Sequence, residues 1–547
     1  MRVASIFTQL INNPNLDFLP IVMTINNRKE LHERLWAAAE QLRANSGLKL
    51  NEMAEPILGL VFLKFADVRF KKAQKALEAE RANSSKRLPP ISPDHYQEKG
   101  VLYLPEVASY TRLMNLPESK NIGKEINDAM KAIEESNREL AGVLPKNYTV
   151  ISNKIDENSR ILLTLLKTFN QIPEDIEGDA FGGIYEYFLG EFARAEGAKG
   201  GEFFTAQPIV KLLVEVIEPY HGKIYDPSCG SGGMFVQSAA FVGRHAKGTK
   251  QIMQEVSIYG QEKVAGNVRI AKMNLAIHGI SGKISEGNSF YEDIHKSVGK
   301  FDFVLANPPF NVKGVDKNKQ IIIDPARLKG DTRYPYGLPL TGKGEISNGN
   351  YLWMQMFSSA LNNKGRAGFV MSNAASDAGN QEKELRRKMV DAGLVDVLIS
   401  VGTNMFMNAV LSCALWFFDK AKKGTPRENK ILFINAQDIF TEIDRAHNTW
   451  TDEQIQEIAA IVRRYRGEEG YGEYKNIKGR CKIATLDEIR ANDYSLNPGR
   501  YVEIVEKEMD SVDFDKRMND LMAEFTSLTT DAHKLEKKIQ DDWKKIV

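Results

Sequence analysis

The stretch Ala306-Asn307-Pro308-Pro309-Phe310 constrains this chain more than any other. It follows Phe301-Asp302-Phe303-Val304-Leu305, a short apolar run of the kind that forms a buried parallel strand. Neither of two consecutive prolines supplies a backbone N–H, so a central strand cannot continue through them. The chain must leave the sheet at its carboxyl edge, where open α/β sheets bind ligands. There Asn307 offers a side-chain carbonyl, Pro308 a backbone carbonyl and Phe310 a flat apolar face. Together they suit an aromatic amine, with two acceptors for an exocyclic NH2 and a surface for its ring. A plain Asn-Pro β-turn would use the same residues, and the segments upstream decide between the two.

Lys223-Ile224-Tyr225 reads as a strand, followed by Asp226-Pro227-Ser228-Cys229-Gly230-Ser231-Gly232-Gly233 and a helix from Met234. Strand, glycine-rich turn and helix form the first half of a dinucleotide-type fold. The glycines let a ligand approach the backbone, and the helix start offers free N–H groups. The next strand, Ser257-Ile258-Tyr259-Gly260, ends at Gln261-Glu262. A carboxylate there can accept both hydrogen bonds of a ribose diol, although its distance from the glycines exceeds the roughly 20 residues of a nicotinamide fingerprint. Gly243…Gly248-Thr249-Lys250 lacks the order of a phosphate-binding P-loop. Ile284-Ser285-Glu286-Gly287-Asn288 brings Asn288 to a third strand tip, as an acceptor for a cofactor adenine or as a turn residue. Upstream, Gly201-Glu202-Phe203-Phe204-Thr205-Ala206-Gln207-Pro208 precedes an apolar helix, with Thr205 expected at its N-cap and Pro208 in its first turn. Phe203 and Phe204 suit the wall of a pocket.

Three regions follow from the patterning. Residues 23–170 read as an all-α domain, with Pro56 interrupting the helical pattern. Residues 171–430 read as a Rossmann-like α/β domain, in which further strands fall at 368–371, 395–399 and 414–418. Residues 431–547 open with a strand at 431–434 and end in Phe514, Met518, Leu521, Phe525, Leu528, Ala532, Leu535 and Ile539, which step by four and three like a coiled-coil seam. That seam suits a partner, or packing on the chain's own domain. Residues 311–350 form a long polar loop with an excess of lysine and arginine, read as facing a phosphate backbone or as simply solvated.

Lys+Arg 73 against Asp+Glu 72 gives no global polyelectrolyte character, so contact with nucleic acid must come from local patches or a partner. Three distant cysteines, Cys229, Cys413 and Cys481, suggest neither a disulfide framework nor a zinc site, which fits the cytoplasm. The histidines form no ligand pair, and no metal is expected. Phe18-Leu19-Pro20-Ile21-Val22-Met23 is too short to span a bilayer, and no apolar run of spanning length occurs elsewhere. Residues 1–22 read as an N-terminal extension without a signal-peptide layout, with Met23 an alternative start.

Asp226 through Gly233, Glu262 and Asn307 through Phe310 resemble the motifs of amino-group DNA methyltransferases that use S-adenosylmethionine. Their order resembles the adenine-modifying gamma arrangement. The Gly201–Thr205 motif, the helical N-terminal domain, Asn350-Tyr351-Leu352-Trp353 and Tyr494-Ser495-Leu496-Asn497-Pro498-Gly499-Arg500-Tyr501 resemble the modification subunit of Type I restriction-modification systems. The resemblance implies a Rossmann-like methyltransferase domain between an all-α N-terminal domain and a C-terminal helical tail. It implies catalytic roles for Asn307, Pro308, Pro309 and Phe310. It implies S-adenosylmethionine contacts from Glu202, Phe203, Phe204, Thr205, Asp226, Gly230, Ser231, Gly232, Gly233, Glu262 and Asn288. The implied partners are double-stranded DNA, a specificity subunit on the C-terminal helix, a second copy of this chain and an ATP-dependent restriction subunit, with no membrane. Two residues depart from the family pattern, Ala206 where proline is usual and Asn288 where aspartate is usual. The same grip serves the exocyclic amine of cytosine, and the departures also fit a cofactor-binding scaffold without catalysis. A nicotinamide oxidoreductase is disfavoured by the spacing to Glu262.

Overall fold

The computed structural model describes residues 25–46, 50–83, 89–117, 119–155, 160–173, 180–196, 205–245, 256–406, 413–444, 447–503 and 514–543. Residues 1–22 and the expected cofactor residues Glu202, Phe203 and Phe204 lie outside these segments.

The strands are β1 (Gly222–Asp226), β2 (Val256–Glu262), β3 (Gly282–Glu286), β4 (Phe301–Ala306), β5 (Leu361–Ser372), β6 (Val395–Val401), β7 (Cys413–Asp419), β8 (Lys430–Ala436), β9 (Thr441–Asp444), β10 (His447–Thr449) and β11 (Cys481–Thr485). All but the β9–β10 hairpin join one sheet, in the order β11-β8-β6-β7-β5-β4-β1-β2-β3. Strands β3, β2, β1, β4 and β5 run parallel. Strand β7 lies antiparallel between β5 and β6, and β11 closes the far edge antiparallel to β8. Every residue of β6 and β7 is buried. Strands covered on both faces carry continuous apolar runs rather than alternation, which is the pattern their sequences show.

Two apolar clusters fill the two faces of this sheet, one around Phe235, Ile258, Val397 and Ile458, the other around Phe301, Trp353, Phe369 and Trp416. Strands β8 and β11 contribute to them, so the sheet continues past the division expected at residue 430. Helix Asp452–Arg466 locks on through Arg463, whose guanidinium donates to Glu218 Oε1 and Glu215 Oε2, each at 2.9 Å. Strand β1 has β4 on one side and β2 on the other, and the chain connections run away from it in opposite directions. Such a switch point opens a crevice at the carboxyl ends of its strands.

The N-terminal helices form a third cluster of their own, which also takes in Met273 and Ile277 of helix Ala265–Ile277. The Arg269 guanidinium pairs with the Glu55 carboxylate at 2.5 and 2.8 Å across this junction. Pro56 does not interrupt the helical pattern as expected: helix Leu50–Ala82 runs through it. The apolar residues that follow, Ile57, Leu58, Leu60, Val61, Phe62 and Leu63, are all fully buried, and the Pro56 carbonyl accepts the Tyr148 hydroxyl at 2.7 Å. Packing at this site outweighs the roughly 3 kcal/mol that a helix-interior proline costs. Helix Phe514–Trp543 carries the C-terminal seam, and its Met518, Leu521, Phe525, Leu528, Leu535 and Ile539 stand exposed rather than packed on the chain's own body. Among the described residues no helix is long and apolar enough to cross a membrane.

Candidate active site at the carboxyl edge of the sheet

Register brings the four motif segments together. Tyr225 lies opposite Val304, so Asp226 at the end of β1 and Asn307 just past β4 sit on adjacent strands. Strand spacing and rise put their Cα atoms about 8 Å apart. On the other flank Asp226 pairs with Gly260, two residues before Glu262, and Glu262 pairs with Glu286, two residues before Asn288. Asn307, Asp226, Glu262 and Asn288 therefore follow one another along a single edge.

The Asn307 amide is held at one end only. Its Nδ2 donates to the Thr205 hydroxyl at 2.8 Å. Its Oδ1 is buried, and among the described residues no donor reaches it. A buried acceptor left this way costs about 1–3 kcal/mol, which an incoming donor recovers. Thr205 is free for this because it is not the N-cap: helix Gln207–Ile217 is capped by Ala206, with Pro208 in its first turn as expected. The Thr205 hydroxyl stands one residue too early to cap and turns to Asn307 instead.

Pro308 is buried, while Pro309 and Phe310 are half-buried at the mouth. The next residue, Asn311, takes a left-handed φ of 56° and is clasped by Asn350. The Asn311 N–H donates to Asn350 Oδ1 at 2.8 Å, and Asn350 Nδ2 returns a bond to Asn311 Oδ1 at 3.0 Å. Asn348 Nδ2 and the Ser372 hydroxyl add longer bonds to the same oxygen, each at 3.3 Å. This clasp fixes where Phe310 and the proline pair end.

Beside them, the glycine turn needs the left-handed region that only glycine enters freely, with φ of 50° at Gly230 and 81° at Gly232. The Gly230 N–H donates to Glu262 Oε2 at 3.1 Å and the Gly232 N–H to the Cys229 carbonyl at 2.8 Å. The Ser231 carbonyl accepts from Asn274 Nδ2 at 2.9 Å. Gly233 opens helix Gly233–His245, whose first N–H groups have no partner within a helix. Glu262 is buried, and its other oxygen accepts the Val264 N–H at 2.9 Å, so each carboxylate oxygen keeps a lone pair for a further donor. Asp226 is buried too and accepts the Ser228 N–H at 2.9 Å. Burial first, and the Glu262 charge after it, push its carboxyl up to about 8 against the downward pull of the Ser228 N–H and hydroxyl. Burial, with Asp226 and Glu262 close by, also holds the Cys229 thiol well above its usual range, so it is no nucleophile. Asn288 forms a turn: its Oδ1 accepts the Phe290 N–H at 3.1 Å, and its own N–H donates to Glu292 at 3.0 Å.

These residues fit a cationic nucleoside ligand. The buried carboxyl suits an ammonium, the glycine turn leaves room for a backbone approach, and the spare lone pairs of Glu262 suit a diol. Sequence reasoning missed the Thr205–Asn307 bond and the Asn311–Asn350 clasp, because residues far apart in the chain make each of them. The Asn350 motif signalled the second without giving its partner.

Residues 176–510 match the family model for the N-6 DNA methylase, and residues 31–169 match the model for the HsdM N-terminal domain. The MjaIX methylase subunit of a Type I restriction enzyme from Methanocaldococcus jannaschii is 35% identical over 94% of this chain and 90% of its own length. The HindI methylase subunit from Haemophilus influenzae is 35% identical over 77% of this chain and 91% of its own. A solved type I restriction-modification methyltransferase subunit from Streptococcus thermophilus shares the fold, with a TM-score of 0.69 at 21% identity over 87% of this chain and 100% of that one. With the family model spanning both the glycine turn and the Asn-Pro-Pro-Phe loop, this chain belongs to the N-6 DNA methylase family as a methylase subunit of the Type I restriction enzymes, a DNA methyltransferase acting on adenine N6.

Proposed function

We propose that Asn307 Oδ1 and the Pro308 carbonyl accept the two hydrogens of the target adenine's amino group. The observation that carries this reading is the buried Asn307 oxygen without a donor, on an amide whose other end Thr205 holds. The amine is otherwise paired in the duplex, so the base must be extruded before the reaction. Phe310 stacks on the extruded ring, and Pro309 stiffens the loop between the two contacts. Two acceptors draw the amino nitrogen out of conjugation with the ring, so that its lone pair becomes available. Positioning and fixed dipoles thus supply the rate.

Asp226, Gly230, Ser231, Gly232, Gly233, Glu262 and Asn288 hold S-adenosylmethionine, with Glu202, Phe203, Phe204 and Thr205 closing the site. When bound, that cofactor supplies an electrophilic methyl group on a cationic sulfur. Asp226 and the start of helix Gly233–His245 receive its amino-acid end, and Glu262 its ribose diol. Asn288 Oδ1, which accepts the Phe290 N–H, keeps a second lone pair to accept from the cofactor adenine.

The subunit works on double-stranded DNA in the cytoplasm, within a complex that includes a specificity subunit, a second copy of this chain and an ATP-dependent restriction subunit. The exposed seam of helix Phe514–Trp543 is the docking face for the specificity subunit; an uncovered apolar stripe on a helix of 30 residues favours a helical partner. Transfer of a labelled methyl group to DNA by the assembled complex tests the reading. Asn307→Ala is expected to keep cofactor affinity and to lose about 100-fold or more of transfer. An Asn307→Ala complex with full activity would refute the role.

A further inference from the structure

The segment 311–349 leaves the site directly after Phe310 and is braced at its root. The Gly349 N–H donates to the Val312 carbonyl at 2.8 Å, and the Gly314 N–H to the Ile346 carbonyl at 3.1 Å. Beyond the root, Val315 and Ile321 bridge antiparallel in a tight hairpin. Asp316 Oδ1 accepts the N–H groups of Asn318 and Gln320, both at 2.8 Å, and Lys319 adopts a φ of 62°. The tip is thus fixed by its own hydrogen bonds.

Three isoleucines follow, and only the last serves the core. Ile323 is 1% exposed, packed in the cluster that holds Phe290 and Trp353, whereas Ile321 is 66% and Ile322 44% exposed. Tyr291 backs this pair: its hydroxyl donates to the Ile322 carbonyl at 3.3 Å and accepts the Asp324 N–H at 2.8 Å. The Arg327 guanidinium lies 3.6 Å from the Tyr291 ring centroid. Lys313, Lys317, Lys319, Arg327 and Lys329 are all exposed around the tip, while the Asp316 carboxylate is engaged by the turn.

Leaving two isoleucines largely in water forgoes much of the gain from burying them, so the fold has little use for them there. The surrounding cations select a polyanion, and the apolar pair selects a water-excluded place within it. In DNA that place is the base stack, which proteins enter with apolar side chains. Extruding an adenine opens such a gap at the site from which this hairpin springs. We infer that Ile321 and Ile322 form a wedge that enters the base stack as the target adenine leaves it, while Lys317 and Lys319 hold the adjoining phosphates. The inference rests on the base-extruding reading above and adds two positioning residues to it.

The test uses the full modification complex and two duplexes, one normally paired and one with an abasic site opposite the target adenine. A third duplex carries 2-aminopurine at the target position and reports extrusion by its fluorescence. Ile321→Ser/Ile322→Ser is expected to lose about ten-fold or more of methyl transfer on the paired duplex, together with the fluorescence rise. On the abasic duplex, where no pairing opposes extrusion, the same variant is expected to stay near the parent rate. Ile321→Leu/Ile322→Leu should restore the paired reaction. Lys317→Ala/Lys319→Ala should flatten the dependence of log affinity on log salt by about 2. The wedge is overturned if the serine pair methylates paired DNA at the parent rate, or loses both substrates equally. A parent complex that methylates neither duplex overturns the underlying function, and that result appears before any substitution is made.

Discussion

Replacing Asp226 by asparagine tests the electrostatics of the site most directly. A carboxyl that titrates at about 8 instead of 3.8 holds its ionised form about 6 kcal/mol less favourably than water does, at about 1.4 kcal/mol per pKa unit. The unfolded chain ionises this group near pH 4, whereas the folded chain keeps it protonated up to about pH 8. Between those values the folded state binds the extra proton, so stability falls as pH rises through that window and levels off above it. At pH 7 the loss reaches about 4 kcal/mol. Asp226→Asn keeps an oxygen for the Ser228 N–H and removes the titration. Its stability in urea is expected to match the parent near pH 4 and to exceed it by several kcal/mol near pH 8.

A cationic ligand reverses the balance, because its charge favours the ionised carboxylate. Cofactor binding to the parent subunit should then release close to one proton at pH 7, and affinity should rise by up to about ten-fold per pH unit between pH 6 and 7.5. Calorimetry in two buffers of different ionisation enthalpy reads the proton count. Asp226→Asn should bind more weakly and without that release. Binding that releases no proton at pH 7, or a variant whose stability keeps the parent's pH slope, would refute the reasoning.

Thr205→Val removes the acceptor for Asn307 Nδ2 and frees the amide to rotate. The rate in single-turnover methylation should fall about ten-fold at saturating cofactor, beyond any loss of cofactor affinity. Glu262→Ala should weaken cofactor binding in calorimetry. It should also cost about 1–3 kcal/mol of stability, because the Gly230 and Val264 N–H groups lose their acceptor. Ending the chain after Tyr501 should abolish co-purification with the specificity subunit while leaving cofactor affinity near the parent's. The motif around Tyr501 stays docked in that truncation, with the Tyr501 ring stacked on Phe433 at 4.0 Å and its hydroxyl donating to the Ser495 carbonyl.

Strand β4 was legible as a short apolar run stopped by Asn307-Pro308-Pro309, whereas β5 begins at Leu361, well ahead of the apolar run at 368–371. Strand β11 was not, since Cys481–Thr485 has little apolar pattern and is defined only by pairing with β8. The β9–β10 hairpin is largely exposed and offers no period to read. Pro56 misled because the rule concerns an isolated helix, and here burial of Ile57 through Leu63 decides. At the site, chemical type told which residues belonged but not which atoms were already engaged. Asn288 and Glu262 each carry backbone bonds that sequence cannot show. Thr205 carried a capping signal that its tertiary partner overrides.

Two oxygen acceptors on adjacent strands each gain from a positive partner, but from partners of different charge. Asp226 is a carboxyl kept protonated by burial, so it gains from a cation. Asn307 Oδ1 is an acceptor kept dry, so it gains from a neutral donor. A cation set beside a neutral hydrogen-bond donor meets both. The β1–β4 pairing that brings them together also places the switch point of the sheet between them. Each ligand, by excluding water from this edge, strengthens the field that the other meets.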